Sequence, residues 1–268
     1  MSRSPRSRSA RTATSTHAAQ HQAAQHHTAQ PQSALHQITL PRQSHTAQGP
    51  HDQTGMYLMH HAFRRDLEKF VTAVAHTPVS EHEVWEALRR RWLRMAELLH
   101  HHHTAEDEGL WPVLRRHAVA RGAAGEQDLQ LLEDMEAEHE RIDPALVACR
   151  EAFAAMSEHP CIDHRNALEL RVAALQDGLL EHLAHEEGHA LPMLQRSLSV
   201  AENEEFERVA KKGYPLRVVP FALCWVMEEL PAEAHDRFLA DAPPGYGLLL
   251  RLLRPRFEKG ERRAFRYT

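Results

Sequence analysis

The chain has 268 residues, 42% hydrophobic and 26% charged with a formal net charge of -5, which suits a soluble globular protein with room for a sizeable core. Three cysteines without short spacing (Cys149, Cys161, Cys224) exclude a disulfide framework and a cysteine-based zinc site, and they fit a reducing, cytoplasmic setting. No apolar run approaches the roughly 20 residues that a bilayer-spanning helix needs, so no membrane partner is expected.

Residues 1–53 read as a disordered, low-complexity tail. The first 51 residues hold five arginines and no acid, leaving about -10 on the remainder. The stretch is rich in Ser and Arg, then in Ala, Gln, His and Thr, and has too few large apolar side chains to offset ordering entropy. It lacks the apolar centre of a secretory signal, although its composition suits a transit peptide. Five scattered arginines are a thin basis for a nucleic-acid arm, and nucleic acid is not an expected partner. The simplest reading is a dispensable tail, or a start placed upstream of one nearer Met56. Its seven histidines, His51 among them, have no regular spacing and receive no role.

From about residue 54 the pattern becomes helical, and residues 54–197 read as an antiparallel four-helix bundle. Four segments (54–76, 81–120, 126–157 and 162–197) are separated by Pro78, by Gly122 and Gly125, and by Pro160. Ser80 with Glu83 predicts a capping box at the second. Apolar residues repeat in steps of four and three, as a bundle seam does. The first seam is Met56, His60, Phe63, Leu67, Phe70, Val74, and the second Leu88, Trp92, Met95, Leu99, His102, Glu106, Gly109, Val113. The third is Leu132, Met135, His139, Ile142, Leu146, Cys149, Phe153, and the fourth Leu168, Val172, Leu175, Leu179, His182, Glu186, His189, Met193. Residues 198–268 form an extension of short helices, one begun by Ser199 and Glu202 and the rest cut by prolines, expected to pack on the bundle.

The four seams are two pairs. His102, Glu106 and Pro112 recur 80 residues later as His182, Glu186 and Pro192, while Met56, His60 and Leu67 recur 79 residues later as Met135, His139 and Leu146. A helix pair carrying His on its first helix and His-x-x-x-Glu on its second is therefore duplicated. Residues four apart on a helix project together, so the polar groups converge on a core that otherwise takes Leu, Met, Phe and Trp. Burying them is costly unless a cation neutralises and bonds them. Four imidazoles and two carboxylates from four helices have the composition of a dinuclear iron or manganese site, and imidazole-rich ligation suits iron or zinc better than calcium or magnesium. His103 with Asp107 has the same spacing, but its repeat positions are Leu183 and Glu187, so the duplication selects His102 and Glu106. His100, His101 and His103 are then expected at the surface or behind the ligands.

The segments around Met59-His60-His61, His102-His103-Thr104-Ala105-Glu106, Glu138-His139-Glu140 and His182-Leu183-Ala184-His185-Glu186 resemble the hemerythrin-like (HHE cation-binding) family over residues 56–195. The resemblance implies two iron ions in a non-haem centre with an oxo or hydroxo bridge, held by His60, His102, Glu106, His139, His182 and Glu186. Manganese and zinc come second. Oxygen-carrying members place a second His four residues after the third-helix His, where this chain has Asp143 and then Pro144. His189, continuing the seam beyond Glu186, is the best substitute ligand or ligand-supporting group, with Asp143 behind it. Glu187 and Asp107 read as solvated acids or as groups that orient ligands.

The expected function is a diiron protein that binds or senses a small oxidant or gas (oxygen, nitric oxide, peroxide) or iron. The alternatives are a peroxidase-like or reductase-like enzyme and a metal-stabilised interaction protein whose C-terminal region meets a partner. The sequence has no Gly-rich nucleotide loop, haem-attachment signature or cysteine cluster for a second redox cofactor, which favours binding over catalysis.

Overall fold

The computed structural model describes residues 35–268, and these form an all-α fold with no strand among them. Helices α1 (Thr54–His76), α2 (His82–Ala105), α4 (Glu126–Glu158) and α5 (Ile162–His185) form a ring in which each packs on two neighbours, α1 on α2 and α5, α4 on α2 and α5. Each of α2 and α5 runs through a wider, π-helical turn (Glu106–Leu110 and Glu186–Ala190) into a shorter helix, α3 (Trp111–Ala120) and α6 (Leu191–Ser197). The Cys161 thiol accepts from the His164 N–H at the start of α5. Pro144 lies inside α4 without ending it. The predicted capping box at Ser80 does not form, since the residue before α2 is Glu81 and its side chain makes no capping bond.

Both π-helical turns have the same origin in the repeat. Pro112 and Pro192 are the second residues of α3 and α6; proline has no N–H, and its ring clashes with the carbonyl four residues back. One extra residue per turn relieves the clash. The carbonyls of Glu106 and Glu186 then accept from the N–H groups of Trp111 and Leu191, five residues on. The inserted residue also moves the seam by one position. Beyond Glu106 the core takes Leu110 and Leu114 in place of Gly109 and Val113, and beyond Glu186 it takes Ala190 and Leu194.

The core is split into two apolar clusters. One holds Phe63, Phe70, Trp92, Phe153 and Leu179; the other holds Leu58, Leu110, Trp111, Met135 and Leu194. Along the ring the change from one cluster to the other falls at His60 on α1, at His102 on α2 and Glu106 just beyond it, at His139 on α4 and at Glu186 beyond α5, so the polar groups form one layer between two hydrophobic ones.

Two segments wrap this ring. Residues 198–268 supply α7 (Val200–Gly213), α8 (Val219–Val226), α9 (Ala232–Asp241) and α10 (Tyr246–Ala264). Helix α7 opens on the expected capping box of Ser199 and Glu202 and packs on α2; α8 packs on α1, and α10 packs on α2 and α8. Helix α10 runs 19 residues despite Pro255, longer than its prolines suggest. The expected tail is corrected over its last part: residues 1–34 lie outside the described residues, but 35–53 are ordered against the ring, with Ile38, Leu40 and Ala47 buried. Polar side chains hold this strap where apolar ones are few. Gln37 donates to the His51 carbonyl at 2.8 Å, Gln195 donates to the same oxygen at 2.7 Å, and the buried His51 ring meets the Leu198 carbonyl at 2.9 Å. Gly49 is required there, because a Cβ would sit 2.2 Å from the Gln195 side chain. No helix among the described residues is long and apolar enough to cross a membrane.

Candidate metal centre

The six seam residues singled out from the sequence converge in the polar layer. His60, His102, Glu106 and Glu186 each present an atom within 4.8 Å of the others, and His139 and His182 do so with a third imidazole, His103. All seven side chains are buried. The His60 and His102 Nε2 atoms are 3.2 Å apart, and so are those of His139 and His182. Each carboxylate stands between the two groups. Glu106 is 3.2 Å from His102 Nε2 and 3.6 Å from His139 Nε2; Glu186 is 3.1 Å from His60 Nε2 and 3.9 Å from His182 Nε2.

Carboxylates from neighbouring turns fix the ring orientations. His60 Nδ1 donates to Glu187 at 2.9 Å, His139 Nδ1 to Asp107 at 2.7 Å, and His182 Nδ1 to Glu138 at 2.8 Å. With Nδ1 engaged by a carboxylate, each of these three rings points its Nε2 inward, the atom whose lone pair a metal would take. Arg64 donates to Glu187 at 2.6 Å, and the Ser44 N–H of the strap donates to its other oxygen at 2.7 Å, so the wrapping segment reaches the groups that orient a ligand. Glu187 and Asp107 are therefore not merely solvated acids. Glu187 is buried, and Asp107 bonds His139 while partly exposed.

The layer fits a cation by its own electrostatics. Glu106 and Glu186 are wholly buried; neither Glu106 oxygen has a hydrogen-bond partner among the described residues, a cost of a few kcal/mol if nothing else binds it, while Glu186 has its ion-pair contact with His60. Burial, and then the charge of Glu186, push the Glu106 carboxyl far up. Burial would also raise Glu186, but His60, with His102 and His182 behind it, more than reverses that and holds the group below the ordinary carboxylate range. His60 in turn is pushed up to about 9: burial lowers it, and Glu186 and Glu187 more than reverse that. His102, His103 and His182 are held low, chiefly by burial, and so are neutral imidazoles near pH 7. The metal-free layer thus keeps protons only by crowding carboxylates and imidazoles, and a divalent or trivalent cation would replace those protons.

The sequence reading missed His103. It is buried, stacks on His139 with centroids 4.1 Å apart and planes at 11°, and neither of its nitrogens has a hydrogen-bond partner. Its repeat partner is Leu183, so the two halves of the duplication are not equivalent here. Asp143 is not in either group. Its carboxylate lies 3.5 Å from His103 Nδ1 and 3.4 Å from the exposed His100, behind the imidazole. His189 is corrected as well. It is exposed, edge-on to His185 at 5.2 Å, because the π-helical turn passes the seam to Ala190. Glu138, which also binds His185 at 2.9 Å, had no sequence signal beyond its place beside His139.

No curated protein and no solved structure gives a significant match to this chain. The family model of the hemerythrin HHE cation-binding domain matches residues 52–194, which is more than half of the chain and spans every residue of the buried layer. Both the match and the duplicated histidine-carboxylate layer lead to one conclusion: this protein belongs to the hemerythrin HHE cation-binding domain family.

Proposed function

We propose that the chain holds two iron ions in this layer and uses them to bind or sense a small oxidant or gas. His60 and His102 would serve one ion, His103, His139 and His182 the other, and Glu106 and Glu186 both. The observation that carries the reading is the placement of each buried carboxylate between an imidazole of one group and an imidazole of the other, the arrangement a bridging ligand needs. Bound iron would supply one-electron chemistry and affinity for oxygen, nitric oxide or peroxide.

His103 brings the imidazoles to five, replacing the His that Asp143 displaces from the oxygen-carrier pattern. Because all seven side chains are buried between two apolar clusters, only a ligand of a few atoms reaches them without disrupting the layer. That favours a diatomic or peroxide ligand over a larger substrate. A cytoplasmic site suits the three free cysteines.

Metal analysis of the purified full chain should give about two irons, and the Glu106→Ala, Glu186→Ala double variant should lose them while staying helical by circular dichroism. Full iron content in that variant refutes the ligand assignment. Optical spectra of the reduced protein exposed to oxygen, nitric oxide and peroxide then separate the roles. A reversible adduct supports binding or sensing, and sustained peroxide consumption supports an enzyme. A zinc-loaded protein without optical response supports a structural metal serving a partner of the C-terminal helices.

A further inference from the structure

The surface between α2 and α10 carries a second polar site, remote in character from the metal layer. Arg90, Arg91, Arg94, Arg256, Lys259 and Arg263 line a cavity of about 250 Å³, and the one carboxylate in its wall is Glu261. Glu261 is already bonded to Arg91 Nε at 2.6 Å, and the buried Asp66 carboxylate lies 2.8 Å from Arg91 Nη2, so Arg91 is neutralised from within. Glu86 and Glu83 pair with Arg90 and Arg263 at the rim, whereas Arg94, Arg256 and Lys259 have no ion pair among the described residues. Arg91 is buried, stacked 4.7 Å from the Phe221 centroid, and its Nη1 has no hydrogen-bond partner. Gly260 lines the same cavity with open space where a Cβ would stand. Arg94, Arg256 and Lys259 thus bring three cations without a counter-charge to one hollow, a field that an anion would relieve.

We propose that this groove binds a phosphate group. Cationic side chains supplied to one hollow by two helices, Arg94 by α2 and Arg256 and Lys259 by α10, suit a tetrahedral dianion, which can accept from several donors at once; one planar carboxylate would engage a single fork and leave the rest unpaired. The burial of Arg94 and the nearby charges of Arg91, Arg256 and Arg90 lower its affinity for its own proton, as expected in a field that an anion would relieve. The phosphate has two sources that the exposed face of α10 bears on. Leu248 and Leu252, 64% and 69% exposed, precede Arg256 and Lys259 in steps of four, four and three, so an apolar stretch and a basic stretch share one stripe. A lipid headgroup would use both stretches, and a free phosphorylated metabolite only the basic one.

The test uses the full chain, loaded with metal, and inorganic pyrophosphate as the soluble probe. Pyrophosphate should raise the unfolding midpoint and titrate calorimetrically. The Arg94→Gln, Arg256→Gln, Lys259→Gln variant should bind at least tenfold more weakly with unchanged circular dichroism and iron content. Sedimentation with phosphatidylglycerol vesicles identifies the source: capture that Leu248→Ser, Leu252→Ser abolishes assigns a lipid headgroup, and pyrophosphate binding without capture assigns a soluble ligand. The proposal fails if neither probe binds, if chloride at matched ionic strength reproduces the effect, or if the triple variant binds as the wild type does. None of these outcomes depends on which metal the buried layer holds.

Discussion

Replacing Glu106 by Leu should change stability in opposite directions with and without metal. Glu106 is fully buried, its oxygens have no hydrogen-bond partner, and its nearest polar neighbours are His102 at 3.2 Å and His139 at 3.6 Å. In the metal-free protein an unsatisfied buried carboxyl costs about 1–3 kcal/mol, and an apolar side chain of similar volume removes that cost. At about 2–4 °C per kcal/mol for a chain of this size, the metal-free variant should melt about 2–12 °C above metal-free wild type. Saturating metal should stabilise the wild type by about 4 kcal/mol at a thousand times its dissociation constant, and the variant should lose most of that. Thermal unfolding followed by circular dichroism, once with chelator and once with ferrous iron under anaerobic conditions, reads both signs. A variant less stable than wild type in chelator refutes the reasoning, since Glu106 would then have a structural partner.

Three further outcomes follow from the same geometry. His103→Ala should bring the iron content from about two toward one per chain, while His100→Ala leaves it unchanged; equal iron in both variants would return His103 to a packing role. Glu187→Gln should weaken metal affinity about 10–100-fold without removing a ligand, because it takes away the acceptor that orients His60 and the anchor of the strap at Ser44, and competition with a chelator of known affinity measures it. Glu202, held at about 2 chiefly by hydrogen bonds from the Ser199 backbone and hydroxyl, lies well below the ordinary carboxylate range. A depressed carboxylate contributes stability above its unfolded value, so the α7 cap should be intact at neutral pH and lost as pH falls from about 4 toward 2. Hydrogen exchange at the start of α7 should show that window, and Glu202→Gln should abolish it.

Much of this was legible in one dimension. Helix positions follow from apolar steps of three and four, and six residues of the buried polar layer stand out because each interrupts a seam at a place its repeat partner also interrupts. The failures have definite causes. The strap at 35–53 looks like polar low complexity because its order comes from Gln37, Gln195 and His51 bonding backbone groups, and hydrophobic patterning does not register amide side chains. His189 was misplaced because a uniform helical period cannot anticipate the extra residue that Pro192 imposes upstream. Repeat symmetry points away from His103 because the halves diverge there, one burying Leu183 in the apolar core and the other an imidazole against His139.

The sequence by itself determined that four amphipathic helices must bury histidines and glutamates in register, because side-chain period and duplication are properties of spacing alone. Which imidazoles meet, which carboxylates orient them, and which cations face one another across α2 and α10 were decided only by the packed structure. Those outcomes depend on helix rotation and on contacts between residues more than a hundred positions apart, such as Glu187 with Ser44 and Arg91 with Glu261, and no local pattern encodes a rotation set by what lies on the other side.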